Sequence, residues 1–281
     1  MGNGILTNKK HRASFILGVF VLDCYMERSV TDKLVSEMSK TRNFNVPIKV
    51  HICKDFKREL PKYITHRIRL EKYLENNLVT DCLGMFVPYE KDYLHILIAP
   101  DADEFTLIHE TTHAIDFHKY ILKFCNGDFD NYQDNEKYPL SYTFRLASEF
   151  HARVIPHTKY VANLQRDIWT VKEHMNDNEK LLYHHCHDFL SQRIDINRFF
   201  YEVMQTLGKI HVWQIALQST DNNFELSTVF QNIVKMYRID EPPLLYLFGR
   251  IQDMYSVLPK IDFDKVDEKL LEQLKDVFVN L

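Results

Sequence analysis

Glycine is scarce in this 281-residue chain, seven in all. A sequence so short of residues that tolerate positive φ has few tight turns and leans towards helix. Cysteine is scarcer still: Cys24, Cys53, Cys82, Cys125 and Cys186 are scattered, odd in number and form no Cys-x-x-Cys pair. That pattern excludes a zinc ribbon and gives no disulfide framework, and unpaired thiols suit a reducing cytoplasm. There is no basic excess, with 35 Lys and Arg against 39 Asp and Glu, a net charge of −4 and a pI near 6.4. The electrostatic footprint of a nucleic-acid binder is missing, and no nucleic acid is expected as a partner. Apolar runs are too short to cross a bilayer, so no stable membrane insertion is expected.

The N-terminus tests that last exclusion. Lys9, Lys10 and Arg12 precede an apolar run over 13–22, which imitates the first two regions of a signal peptide. Asp23 is wrong for a lipoprotein box before Cys24, and no small-x-small cleavage site follows. A buried first strand over 15–22 explains the same residues. The expectation is a cytoplasmic protein, or an exported one if residues 1–24 act as a signal.

What remains is a globular composition, 45% hydrophobic and 26% charged. Alternating or short apolar runs predict strands over 46–53, 85–88 and 93–99, the last two forming a hairpin across Tyr89-Glu90-Lys91-Asp92. The 93–99 strand lies either at the lip of a cleft, where an extended peptide could pair with it, or inside the sheet. Helical patterning predicts helices over 29–40, 60–77, 102–124, 142–164, 167–174, 179–193, 197–218, 225–237, 244–258 and 264–279. Residues 126–141 read as a long acidic loop. The chain is thus expected to be α+β: a small mixed sheet, then a predominantly helical C-terminal half packed on it as one body.

One stretch carries chemistry: His109-Glu110-Thr111-Thr112-His113. Asp101 and Asp103 offer N-caps ahead of it, and neither Gly nor Pro interrupts residues 102–124. On a helix, residues four apart share a face, so both imidazoles can reach one metal ion, with Glu110 beside them to act on a water. Two ordinary histidines on a polar face would read the same way. However, Phe105, Ile108, Ala114, Ile115 and Phe117 spread apolar residues around the helix, and buried histidines need partners.

A catalytic zinc wants a third protein ligand. Asp116, His118, Glu149 and His151 are the candidates. His118 lies too far around the same helix. Glu149 falls at the edge of the apolar face set by Leu146, Phe150, Val154, Val161 and Leu164, whereas His151 points about 200° away from it. Glu149 is therefore the expected ligand, although a simple pairing with Arg153 on the same helix would also explain it. Asp116, one turn beyond His113, is placed to orient an imidazole. His184, Cys186 and His187 suggest a second metal less well, because contiguous histidines on a helix diverge.

The His-Glu-x-x-His motif with a Glu on the next helix resembles the gluzincin branch of the zincin metallopeptidases, over roughly residues 93–153. The resemblance implies that His109, His113 and Glu149 bind Zn2+ and that Glu110 is the general base. It implies a zincin-like metallopeptidase domain, placed over 1–160, and a peptide or protein substrate; the helical patterning makes 161–281 an all-helical subdomain packed on it. An oxyanion-stabilising Tyr or His is also implied, with Tyr142, His157 and Tyr160 as candidates. Two features depart from related patterns. Asp116 and Lys119 stand where metzincins have Gly and a third His, and Arg153 stands where thermolysin-like enzymes have Asp. The expected function is a zinc-dependent hydrolase, most simply a metallopeptidase. The alternative is a non-catalytic, zincin-like metal-binding module acting in protein–protein interaction or regulation.

Overall fold

Residues 28–64, 70–71, 82–87, 92–129, 140–163, 168–220 and 228–279 are described by a computed structural model of the chain. The expected strand over 15–22, the hairpin turn at 88–91 and most of the acidic loop lie outside these residues. So does most of the helix expected over 60–77, whose start is a single 3-10 turn at Leu60–Lys62.

The fold is α+β. Three strands, β1 (Ile48–Ile52), β2 (Gly84–Val87) and β3 (Leu94–Ile98), form one mixed sheet in the order β1-β3-β2, with β1 parallel and β2 antiparallel to β3. Of the two positions open to β3, the structure selects the interior: all five of its residues are buried, and β2 takes the edge. Its side chains alternate between two cores, as a strand covered on both faces must. Leu94, Ile96 and Ile98 join the main core, while Leu97 packs with Cys53, Phe56, Leu60, Ile64 and Val87 on the far side.

Helices make up most of the rest: α1 (Arg28–Thr41), α2 (Phe56–Glu59), α3 (Glu104–Phe124), α4 (Ser141–Asn163), α5 (Ile168–Leu190), α6 (Ile196–Thr220), α7 (Thr228–Met236), α8 (Pro242–Val257) and α9 (Glu268–Val279). Helix α3 begins where Asp103 caps it, accepting from Thr106 N at 2.8 Å. It ends where Asn126 and Gly127 turn to positive φ and Gly127 N–H returns to the Ile121 carbonyl. Almost every residue from Leu107 to Ile121 is buried, so the motif helix is the centre of the molecule rather than a surface element.

Helices α4 and α6 run parallel: Tyr142 bonds Asn197 near their N-termini, and Tyr160 meets Trp213 near their C-termini. They touch at Gly208, where a Cβ would stand 2.8 Å from the Phe150 carbonyl oxygen. One continuous buried cluster runs from Leu34 on α1 to Phe278 on α9.

Two boundaries correct the sequence reading. Separate helices were expected over 167–174 and 179–193, but α5 is continuous. Val171, Met175, Glu179, Leu182 and Cys186 make one buried stripe at helical spacing, and packing of that stripe outweighs the weak propensity of the polar residues 176–178. Helix α9 starts at Glu268 rather than 264, because Asp262 holds Asp264 N and Lys265 N in a turn and Val266 adopts φ 51°.

Candidate metal centre

His109 and His113 lie one turn apart on α3, both buried, with Nε2 atoms 3.0 Å apart. Glu149 comes from α4 and offers one oxygen to each: Oε1 is 3.5 Å from His113 Nε2 and Oε2 is 3.7 Å from His109 Nε2. Ligands about 2.0–2.2 Å from a tetrahedral ion stand about 3.3–3.5 Å from one another. The three side chains therefore surround a point that an ion of that kind fits. They are the one group of three potential metal-ligating residues that converges among the described residues.

The outer nitrogens say which way the inner ones face. His109 Nδ1 lies 3.0 Å from the Ala152 carbonyl oxygen, which only accepts, so Nδ1 carries the proton. Pro156 explains why that carbonyl is available. It sits inside α4, four residues after Ala152, and has no N–H to return. His113 Nδ1 lies 2.8 Å from Ser148 Oγ, and Ser148 Oγ is 3.2 Å from Asp116 Oδ2. The hydroxyl's single proton goes to the carboxylate, so its oxygen accepts from His113 Nδ1–H. Both Nε2 positions are thereby turned to the same point, and two lone pairs 3.0 Å apart require a cation between them, a proton or a metal ion.

Asp116 anchors this chain of contacts. It is fully buried, accepts from Arg42 at 3.0 Å and from His151 Nδ1 at 2.8 Å, and Arg42 passes on to Asp264. Burial works against its charge, but His151 and Arg42 outweigh it and hold the carboxyl below its ordinary range. Asp116 orients an imidazole as expected, but through Ser148, a residue the sequence did not single out.

Burial, with His113 adding to it, lowers His109 to about 3, which keeps that ring neutral. Burial also opposes a proton on His113, yet Glu149, Glu110 and Asp116 outweigh it and raise this histidine above the ordinary range. Glu149 is held down to about 2: burial opposes its charge, and His113, His109 and Arg153 win. Glu110 turns the other way, towards the edge strand, where Oε2 accepts from Phe86 N–H at 2.8 Å. Burial raises it to about 7, with His113 moderating the rise. Gly84 makes this close approach possible, since a Cβ there would stand 2.7 Å from Glu110 Cγ.

The remaining candidates separate cleanly. His118 is buried against Phe44 and Phe129, away from the triad. His151 does not point away from α3, as its phase suggested. It reaches Asp116 and stacks on Phe263 at 4.1 Å, because α4 lies close enough to α3 for side chains on both sides of the contact line to touch it. No ion pair joins Glu149 to Arg153 among the described residues; Gln205 of α6 stands between them, bonded to both. Tyr142 bonds Asn197, His157 packs on Phe105, and Tyr160 reaches Trp213. Tyr201 of α6 is partly exposed, with its ring beside the Arg198 guanidinium, and desolvation followed by the Glu149 charge raises its pKa. His187 bonds Ser191 and Arg193 instead of joining His184 and Cys186 around a point. No family model, curated protein or solved structure matches this chain.

Proposed function

We propose that His109, His113 and Glu149 hold a zinc ion and that the chain is a zinc-dependent hydrolase, a metallopeptidase acting on a peptide or protein. The observation that carries this reading is the pair of Nε2 atoms, 3.0 Å apart and turned inward by fixed outer hydrogen bonds, facing a carboxylate. Two imidazoles and a carboxylate suit a catalytic zinc, which leaves a position open. A bound zinc ion supplies Lewis acidity towards a carbonyl and acidifies a water.

The chain supplies the rest. Glu110, with a pKa of about 7 and no place among the three ligands, takes the proton of the attacking water and hands it to the leaving amine. Ser148 and the Ala152 carbonyl hold the two imidazoles in register for the metal.

The test is zinc content and cleavage of a mixed peptide library by the wild-type chain, His109→Ala, Glu149→Ala and Glu110→Gln. One zinc per chain is expected, lost in the two ligand variants. Glu110→Gln should keep its zinc while cleavage falls at least about a hundredfold. Full activity in Glu110→Gln, or no zinc uptake even when zinc is supplied, would overturn the reading. A zinc-loaded wild-type chain that cleaves nothing would favour the non-catalytic module.

A further inference from the structure

Arg153 stands one turn beyond Glu149 on α4, beside the metal ligands. Its Nη2 donates to Gln205 Oε1, its guanidinium lies 5.3 Å from the centre of the Phe105 ring, and its Nε–H is buried with no acceptor among the described residues. A buried guanidinium donor without a partner is costly and points to something that would complete it.

The surrounding charges say what that is. Three carboxylates act on Arg153: Glu149, Glu110 and Glu202. Each has other work. Glu149 belongs to the triad, Glu110 accepts from Phe86 N–H, and Glu202 is paired with Arg198. Lys209, two turns after Tyr201 on α6, adds a further cation, and among the described residues no ion pair or hydrogen bond engages its ammonium. The crowding of positive charge is felt: burial and then Arg153 lower Lys209 to about 8, while burial, Arg153 and Lys209 lower His157 to about 3. A divalent ion at the triad, together with Arg153, Lys209 and Arg198, would outnumber the three carboxylates by two charges.

We propose that the substrate of this site carries a carboxylate, and that Arg153, with Lys209 behind it, seats that group beside the metal. The proposal rests on the metal reading of the preceding subsection. A peptide offers such a carboxylate at its C-terminus or on an Asp or Glu side chain. Arginine suits the role because its planar fork matches a carboxylate with paired hydrogen bonds. The bond to Gln205 occupies one of the five guanidinium N–H donors and leaves Nε–H among the remaining four.

Cobalt(II)-loaded full-length protein provides the test, since uptake of the metal is read from its visible band before any ligand is added. Three thiol-capped dipeptides are then titrated, and the thiolate-to-cobalt absorption gives their affinities: mercaptoacetyl-Ala-Ala with a free C-terminus, its C-terminal amide, and mercaptoacetyl-Ala-Asp amide. A charge-assisted, partly buried pair is expected to make one of the two carboxylate probes bind about 10- to 100-fold more tightly than the neutral amide. Which of the two gains identifies the source of the carboxylate. In Arg153→Gln the advantage should collapse towards unity. The neutral amide reports separately any loosening of Glu149 through Gln205, an effect that a merely structural role would show in all three probes alike. Lys209→Gln should cut the advantage about threefold and serves if Arg153→Gln fails to fold. Equal binding of all three probes by cobalt-loaded wild-type protein, or an advantage untouched by both substitutions, overturns the proposal. Failure to take up cobalt overturns the metal reading itself.

Discussion

Replacing Pro156 with alanine should make the metal-free chain more stable and its metal site weaker. Proline inside a helix costs about 3 kcal/mol relative to alanine, through the lost N–H bond and the clash with the preceding turn. Helix α4 is packed around its proline, so we expect about 1–2 kcal/mol to be recovered, a rise of roughly 2–5 °C in Tm. The new N–H at residue 156 would point at the Ala152 carbonyl, which now accepts His109 Nδ1–H at 3.0 Å. A carbonyl has two lone pairs, so the imidazole's bond would be weakened rather than deleted. Loss of part of an outer-shell contact of this kind should lower zinc affinity about 3- to 30-fold. Calorimetry in the presence of a chelator reads the first effect, and competition against a chromophoric zinc chelator reads the second. The opposite signs are the point. Unchanged zinc affinity would refute the idea that the missing N–H frees the carbonyl, and a loss of both quantities would make Pro156 an ordinary packing residue.

Two further outcomes follow from the same contacts. Ser148→Ala removes the hydroxyl between His113 Nδ1 and Asp116 Oδ2, leaving a buried N–H without its acceptor. Stability should fall by about 1–3 kcal/mol and zinc affinity about 10- to 100-fold, and wild-type affinity would show that Asp116 does not act through this serine. Glu179, buried on α5, is raised by burial alone from its ordinary 4.5 to about 7. Between those values the folded chain holds a proton that the unfolded chain has released, so stability falls as pH rises through the window and stays lower above it. Glu179→Gln should therefore change little near pH 4 and stabilise by about 1–3 kcal/mol at pH 8. Denaturation midpoints that shift equally at both pH values would contradict this.

How far each feature could be read in the letters depended on whether its cause was local. Helix α3 was legible because an N-cap and an uninterrupted run are neighbours in sequence. The antiparallel pairing of β2 and β3 was legible for the same reason, and so was the facing of His109 and His113, which helical spacing alone fixes. Helix α5 was split wrongly because its polar centre is local while the stripe that keeps it helical acts through α6. His151 was misplaced because phase describes one helix and says nothing of how near its neighbour lies.

The sequence by itself determined an α+β chain, a helix that turns His109 and His113 to one side, and the helical phase that sets Glu149 towards them, since each follows from periodicity and capping along a single segment. Tertiary structure decided the rest of the site. Ser148 and Pro156 gain meaning only when α4 is laid against α3, which brings a hydroxyl and an unclaimed carbonyl to the two imidazoles. Glu149, Gln205 and Arg153 meet only because Gly208 lets α6 touch α4 along a shared line. Glu149 and Gln205 lie 56 positions apart in the chain. No local pattern spans that gap, because packing of buried surfaces rather than hydrogen bonding within one segment brings the two together.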